Sequence, residues 1–70
     1  MQIYPSGTEV KTRIGSIEGM ITAAEIRYEH IRYEVTYLNV IDNTFLTSWH
    51  HESELEITGK TEKRKIGYNR

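Results

Sequence analysis

Seventy residues carry nine Lys and Arg against ten Asp and Glu, with 37% hydrophobic residues and no cysteine. That length holds one small domain, which buries only about 60% of the surface its unfolded chain exposes. Disulfides and thiolate metal sites are excluded, and no apolar run approaches the roughly 20 residues of a transmembrane helix.

The first strand signal covers residues 8–14, after the Pro5-Ser6-Gly7 break, with Val10 and Ile14 as its apolar positions and Gly15 as its end. Residues 19–28 follow, with Ile21, Thr22, Ile26 and Tyr28. Ala23 to Arg27 has some helical propensity, but an uncapped helix of about ten residues between two strands is marginal, so the segment reads as extended. Residues 31–37 alternate cleanly, with Ile31, Tyr33, Val35 and Tyr37 on one face and Arg32, Glu34 and Thr36 on the other. Asp42-Asn43 marks a turn, after which Phe45, Thr47 and Trp49 share a face. Leu55 and Ile57 alternate with Glu54 and Glu56 before Thr58-Gly59 ends the last strand. Five short strands without a convincing helix predict a small closed or nearly closed barrel; the chain is too short for an immunoglobulin-like sandwich. In so small a barrel Tyr33, Tyr37 and Phe45 read as core.

Ile26-Arg27-Tyr28-Glu29 recurs as Ile31-Arg32-Tyr33-Glu34, which suggests a hairpin. A turn at Glu29-His30 sets Tyr28 opposite Ile31, Ile26 opposite Tyr33 and Ala24 opposite Val35 on one apolar face. It also sets Arg27 opposite Arg32 and Glu25 opposite Glu34, and Glu-His is poor chemistry for a tight turn. Both objections favour a longer loop and a shifted pairing.

Net charge −1 conceals a division. Residues 60–70 hold Lys60, Lys63, Arg64, Lys65 and Arg70 against Glu62 alone, whereas residues 1–59 hold nine acids against four bases. The chain therefore reads as an acidic body with a basic tail. Ile66 and Tyr68, spaced by two, suggest a tail that docks as a strap.

Several motifs carry a resemblance. Gly7-Thr8-Glu9-Val10-Lys11-Thr12 is similar to the G-x-x-V opening strand of many small SH3-like barrels. Glu18-Gly19-Met20-Ile21-Thr22 resembles their x-G-x-I-T second strand, where glycine lets the strand bend sharply, and Tyr33-Glu34-Val35-Thr36-Tyr37 resembles the third. Trp49 followed by Glu54-Leu55 resembles the closing segment. The likeness covers about residues 7–57 and, with Ile66-Gly67-Tyr68, extends to small proteins of bacteria, their phages and mobile elements. It implies an all-β fold: a small SH3-like barrel of about five antiparallel strands over residues 1–59, then the basic tail. Such barrels include Tudor, chromo-like and ribosomal members, so the fold does not name an activity. The chain lacks the opening, paired tryptophans and ending of peptide-binding SH3 domains, so proline-rich peptide recognition is not carried over.

No catalytic constellation is expected. There is no cysteine nucleophile or Gly-x-Ser-x-Gly elbow, the carboxylates fall at the spacing of solvated strand faces, and the glycines are too dispersed to cradle phosphate. His50 and His51 point to opposite faces of a strand, so metal binding is not expected, and no cofactor is implied. The expectation is a non-enzymatic module binding a protein partner. Tentative binding residues are Trp49, Tyr28, Arg27 and Arg32, with Lys63, Arg64 and Lys65 in the tail. The first alternative is a nucleic-acid-associated module using that tail, although an acidic body repels a polyanion. A second is a phage-type structural or ligand-sequestering protein acting as a homo-oligomer. No membrane contact is expected, and Met1 to Pro5 lacks a secretory layout, which points to the cytoplasm.

Overall fold

A long hairpin is the spine of the fold. The computed structural model describes residues 1–66, and in it β3 (Glu18–Arg27) and β4 (His30–Asn39) run antiparallel for ten residues each. The other strands are β1 (Gln2–Ile3), β2 (Glu9–Thr12), β5 (Thr44–His51), β6 (Leu55–Ile57) and β7 (Arg64–Lys65), with a 3-10 turn at Glu52–Glu54. Five strands form one antiparallel sheet in the order β5-β4-β3-β2-β6, and β1 pairs with β7. Among the described residues no pairing joins β5 to β6. No helix there is long and apolar enough to cross a membrane.

The hairpin turns at Tyr28-Glu29, not Glu29-His30, and Tyr28 takes the left-handed φ of 58° that the turn requires. Arg27 therefore pairs with His30, Glu25 with Arg32, Ile26 with Ile31 and Ala24 with Tyr33. Every partner moves by two residues from the expected register. A shift of two preserves the faces, so the apolar ladder survives while two like-charge pairs vanish. The shifted pairing separates the like charges, and a two-residue turn achieves it without a longer loop.

Alternation in β3 breaks at Thr22, an extra residue between the pairs Ile21–Val35 and Ala23–Glu34. This bulge changes the phase of the strand, so that Ile21 and Ala24 face the same core despite their odd spacing. Nearby, a Cβ on Gly19 would stand 2.6 Å from the Thr36 carbonyl oxygen and 2.9 Å from Val35 Cγ1, so only glycine fits where β3 crosses close over β4.

Val10, Ile21, Tyr33, Val35 and Leu55 form the core, with Ile3, Tyr4, Ala24, Ile31 and Ile57 packed against it. Tyr33, fully enclosed, uses its Oη to accept a 3.1 Å hydrogen bond from the Tyr4 amide. Its burial pushes the phenol above its ordinary pKa, with the Tyr4 hydrogen bond opposing. Strand β2 ends at Thr12, earlier than expected. The Thr12 hydroxyl donates to the Ile14 carbonyl (2.7 Å) and accepts from the Ile17 amide (2.9 Å), tying the turn that leaves Ile14 in solvent.

Two expected core residues are placed differently. Phe45 is 74% exposed and Tyr37 is half-buried. Phe45, Thr47 and Trp49 do share a face, but it is the face away from the core, and β5 is an edge strand with Leu46, Ser48 and His50 turned inward.

Residues 60–66 return to the N-terminus. Gln2 pairs with Lys65 and Ile3 with Arg64, and the Ile66 amide donates to the Met1 carbonyl at 2.9 Å. Lys63 sits 5.3 Å from the Tyr4 ring centroid and 2.9 Å from Glu52, so Tyr4 lies between Tyr33 and the strap cation. Gly67, Tyr68, Asn69 and Arg70 lie outside the described residues.

Candidate functional site

Strands β3, β4 and β5 present a face that the core does not use. Registry sets Phe45 beside Leu38, Thr47 beside Thr36, and Trp49 beside Glu34, while Met20 of β3 faces Thr36 from the other side. At one end Met20 (45% exposed), Leu38 (45%) and Phe45 form an apolar corner beside a shallow depression also edged by Glu9 and Glu18.

A polar band crosses the middle. Thr22 donates from Oγ1 to Glu34 Oε1 at 2.6 Å and lies 2.9 Å from Thr36 Oγ1, with Thr47 next along the row. Short hydroxyl-bearing side chains suit strands and keep this band flat.

At the far end Arg32 organises the surface. Its Nε donates to Glu25 Oε1 at 2.9 Å, and its guanidinium carbon lies 5.4 Å from the Trp49 ring centroid. Arg27 approaches the same carboxylate at 3.9 Å. The Arg32 hydrogen bond holds the Glu25 carboxyl below its ordinary pKa, against a smaller opposing effect of burial and with both arginine charges assisting. Trp49, 42% exposed, is thus presented with a positioned cation beside it.

The tentative binding residues fall into two groups. Arg27, Arg32 and Trp49 meet on the outward face, and exposed Tyr28 edges a recess shared with Arg27, His30 and Arg32. Lys63 is placed elsewhere, paired to Glu52, which raises its pKa above the ordinary lysine value mainly through their hydrogen bond. Arg64 and Lys65 lie exposed on β7. The apolar corner escaped the sequence reading. Tyr37 and Leu38 are adjacent apolar residues in one strand, a pattern that apolar cover on both faces would produce.

On the inward side of β5, Ser48 Oγ lies 2.7 Å from His50 Nε2. His50 Nδ1 is 3.9 Å from Glu54 Oε1, too long for a hydrogen bond, and that oxygen already accepts from the His51 amide at 2.7 Å. The carboxylate therefore fastens the strand to the 3-10 turn rather than orienting the imidazole. Among the described residues no three His, Asp or Glu side chains converge as metal ligands.

No protein-family model matches this chain, and neither any curated protein nor any solved structure matches it.

Proposed function

We propose that this chain is a non-enzymatic interaction module on a small SH3-like barrel, and that it binds a protein partner through the outward face of β3, β4 and β5. The observation that carries the reading is the apolar corner of Met20, Leu38 and Phe45, contiguous across three strands and left in water. Large apolar side chains gathered at one place on a small domain favour a partner that covers them. Trp49 and Arg32 supply side chains of the types that dominate binding energy at interfaces. The strand order, with a 3-10 turn before the last strand of the sheet, supports the barrel likeness.

Nucleic acid is the weaker reading. Arg27, Arg32 and Lys63 are engaged by Glu25 or Glu52, which leaves Lys60, Arg64 and Lys65 as the exposed strap cations among the described residues. The test is affinity capture from a host lysate with the wild type, Phe45→Ser, Trp49→Ala and a Lys63→Ala/Arg64→Ala/Lys65→Ala triple variant, each checked for folding. A partner retained by the triple variant and lost by the two aromatic variants supports the reading. Identical capture by all four sinks it.

A further inference from the structure

We infer that β5 pairs edge to edge with β5 of a second copy of this chain, antiparallel, about a twofold axis through Thr47. The inference rests on the reading of the outward face as an interaction surface and names its first occupant. Among the described residues strand β5 pairs with β4 alone and leaves its other side open over residues 44–50, the His51 amide being held by Glu54. An unpaired edge offers alternate backbone donors and acceptors to any extended segment, and natural proteins usually blunt such edges with charges, proline or bulges. Here Thr-Phe-Leu-Thr-Ser-Trp-His-His contains no Asp, Glu, Lys, Arg or proline.

Backbone geometry restricts how the strand can meet itself. Along an edge, successive residues alternate between pointing their N–H and C=O toward the neighbour and away. Antiparallel partners must belong to the same class. For two copies of one strand the axis must therefore pass through a residue and not between two.

Of the residues near the middle, Thr47 gives the complementary arrangement. With the axis there, Phe45 faces Trp49 of the second copy and Trp49 faces its Phe45, both on the outward face, while Leu46 faces Ser48 inside. The aromatics are 74% and 42% exposed in the single chain, so pairing would cover part of roughly 250 Å² of exposed aromatic surface per copy. An axis at Ser48 would instead set Phe45 against His51, and one at Leu46 would set it against Thr47. Two aromatic cross-strand pairs select Thr47.

Charge permits the approach. Nothing within the strand brings like charges together at neutral pH, although the chain as a whole is slightly acidic. The aromatic area is well below the roughly 800 Å² per partner of a standard interface, so hydrogen bonds along the new ladder carry much of the association and a weak dimer, with a dissociation constant on the order of 100 μM, is expected. It would join two five-stranded sheets into one and bring two apolar corners onto a common face.

The axis makes a specific test, because Thr47 alone faces its own copy. In sedimentation of the full chain from about 10 μM to about 1 mM, the wild type should pass from 8.2 kDa monomer to dimer. Thr47→Lys and Thr47→Glu should each weaken self-association by roughly tenfold or more, since identical charges meet at the axis. Their equimolar mixture should restore the dimer. Far-UV circular dichroism and melting curves establish that both variants fold. A wild type that stays monomeric, variants that associate as it does, or a mixture that does not recover each overturns the inference. A monomeric wild type that still captures a Phe45-dependent partner would overturn self-pairing alone. A dimer that captures no such partner would leave self-pairing standing and overturn the separate-partner reading.

Discussion

Strand β6 closes one edge of the sheet with three residues, of which Leu55 is buried in the core and Glu56 faces Lys11 at 3.5 Å. Loop hydrogen bonds flank it on both sides, from the Arg13 amide to the Glu54 carbonyl and from the Thr58 amide to the Glu9 carbonyl. Strand β5 closes the opposite edge with eight residues, none of them Asp, Glu, Lys or Arg, and turns its aromatics outward. The same hydrogen-bonding sheet thus ends once in an edge devoted to stability and once in an edge left available for contact. A short acidic strand is hard to extend; a long neutral one is not.

Truncation at the two edges should separate them most. Leu55→Ala removes buried volume and should cost about 2–5 kcal/mol in urea denaturation. Leu46→Ala, from a residue 41% exposed, should cost less than about 1 kcal/mol. Equal losses would break the contrast. A smaller effect is expected at the junction of core and strap. Tyr33→Phe removes the acceptor of the Tyr4 amide and should cost about 1 kcal/mol, with faster hydrogen exchange at that amide. Unchanged exchange there would show that the phenol does not hold the N-terminal strand.

The smallest effect concerns protonation beside the open edge. Because Arg32 lowers the Glu25 pKa, the ion pair stays intact at pH values where a free glutamate is half protonated, and is lost only as pH falls through the lowered value. Trp49 is the single tryptophan, so its emission reports on the neighbouring Arg32. The difference between wild type and Glu25→Gln should stay constant through the ordinary glutamate range and disappear below it. A difference that vanishes within the ordinary range would contradict the assignment.

Much of the sheet was readable because residues 31–37 alternate without interruption, and Tyr33 and Val35 are enclosed as that alternation requires. Residues 19–28 were readable as extended but not in register. The bulge at Thr22 shifts the phase without any proline or glycine at that position to announce it, and the turn at Tyr28-Glu29 uses no glycine. Trp49 and Arg32 were singled out separately, and their contact depends on strand pairing that no local pattern encodes. Phe45 is not core because alternation marks which residues share a face but not which face is covered; the register with β4 decides that, setting Ser48 beside buried Val35 and Phe45 beside exposed Leu38. Strands β1 and β7, two residues each, are too short to leave a periodic trace.

Those two short strands bear on the order in which the molecule assembles. Hairpins β3-β4 and β4-β5 close over turns of a few residues, whereas Gln2 meets Lys65 across nearly the whole chain. Loop closure over that span carries the largest entropic cost of any pairing in the fold, and two residue pairs return little against it. The terminal clasp should therefore form after the sheet and open before it, releasing Tyr4 from Tyr33 while the central strands persist. In that half-open state the phenol of Tyr33 would meet water, giving the domain a reversible door at the end farthest in folding time from its hairpins.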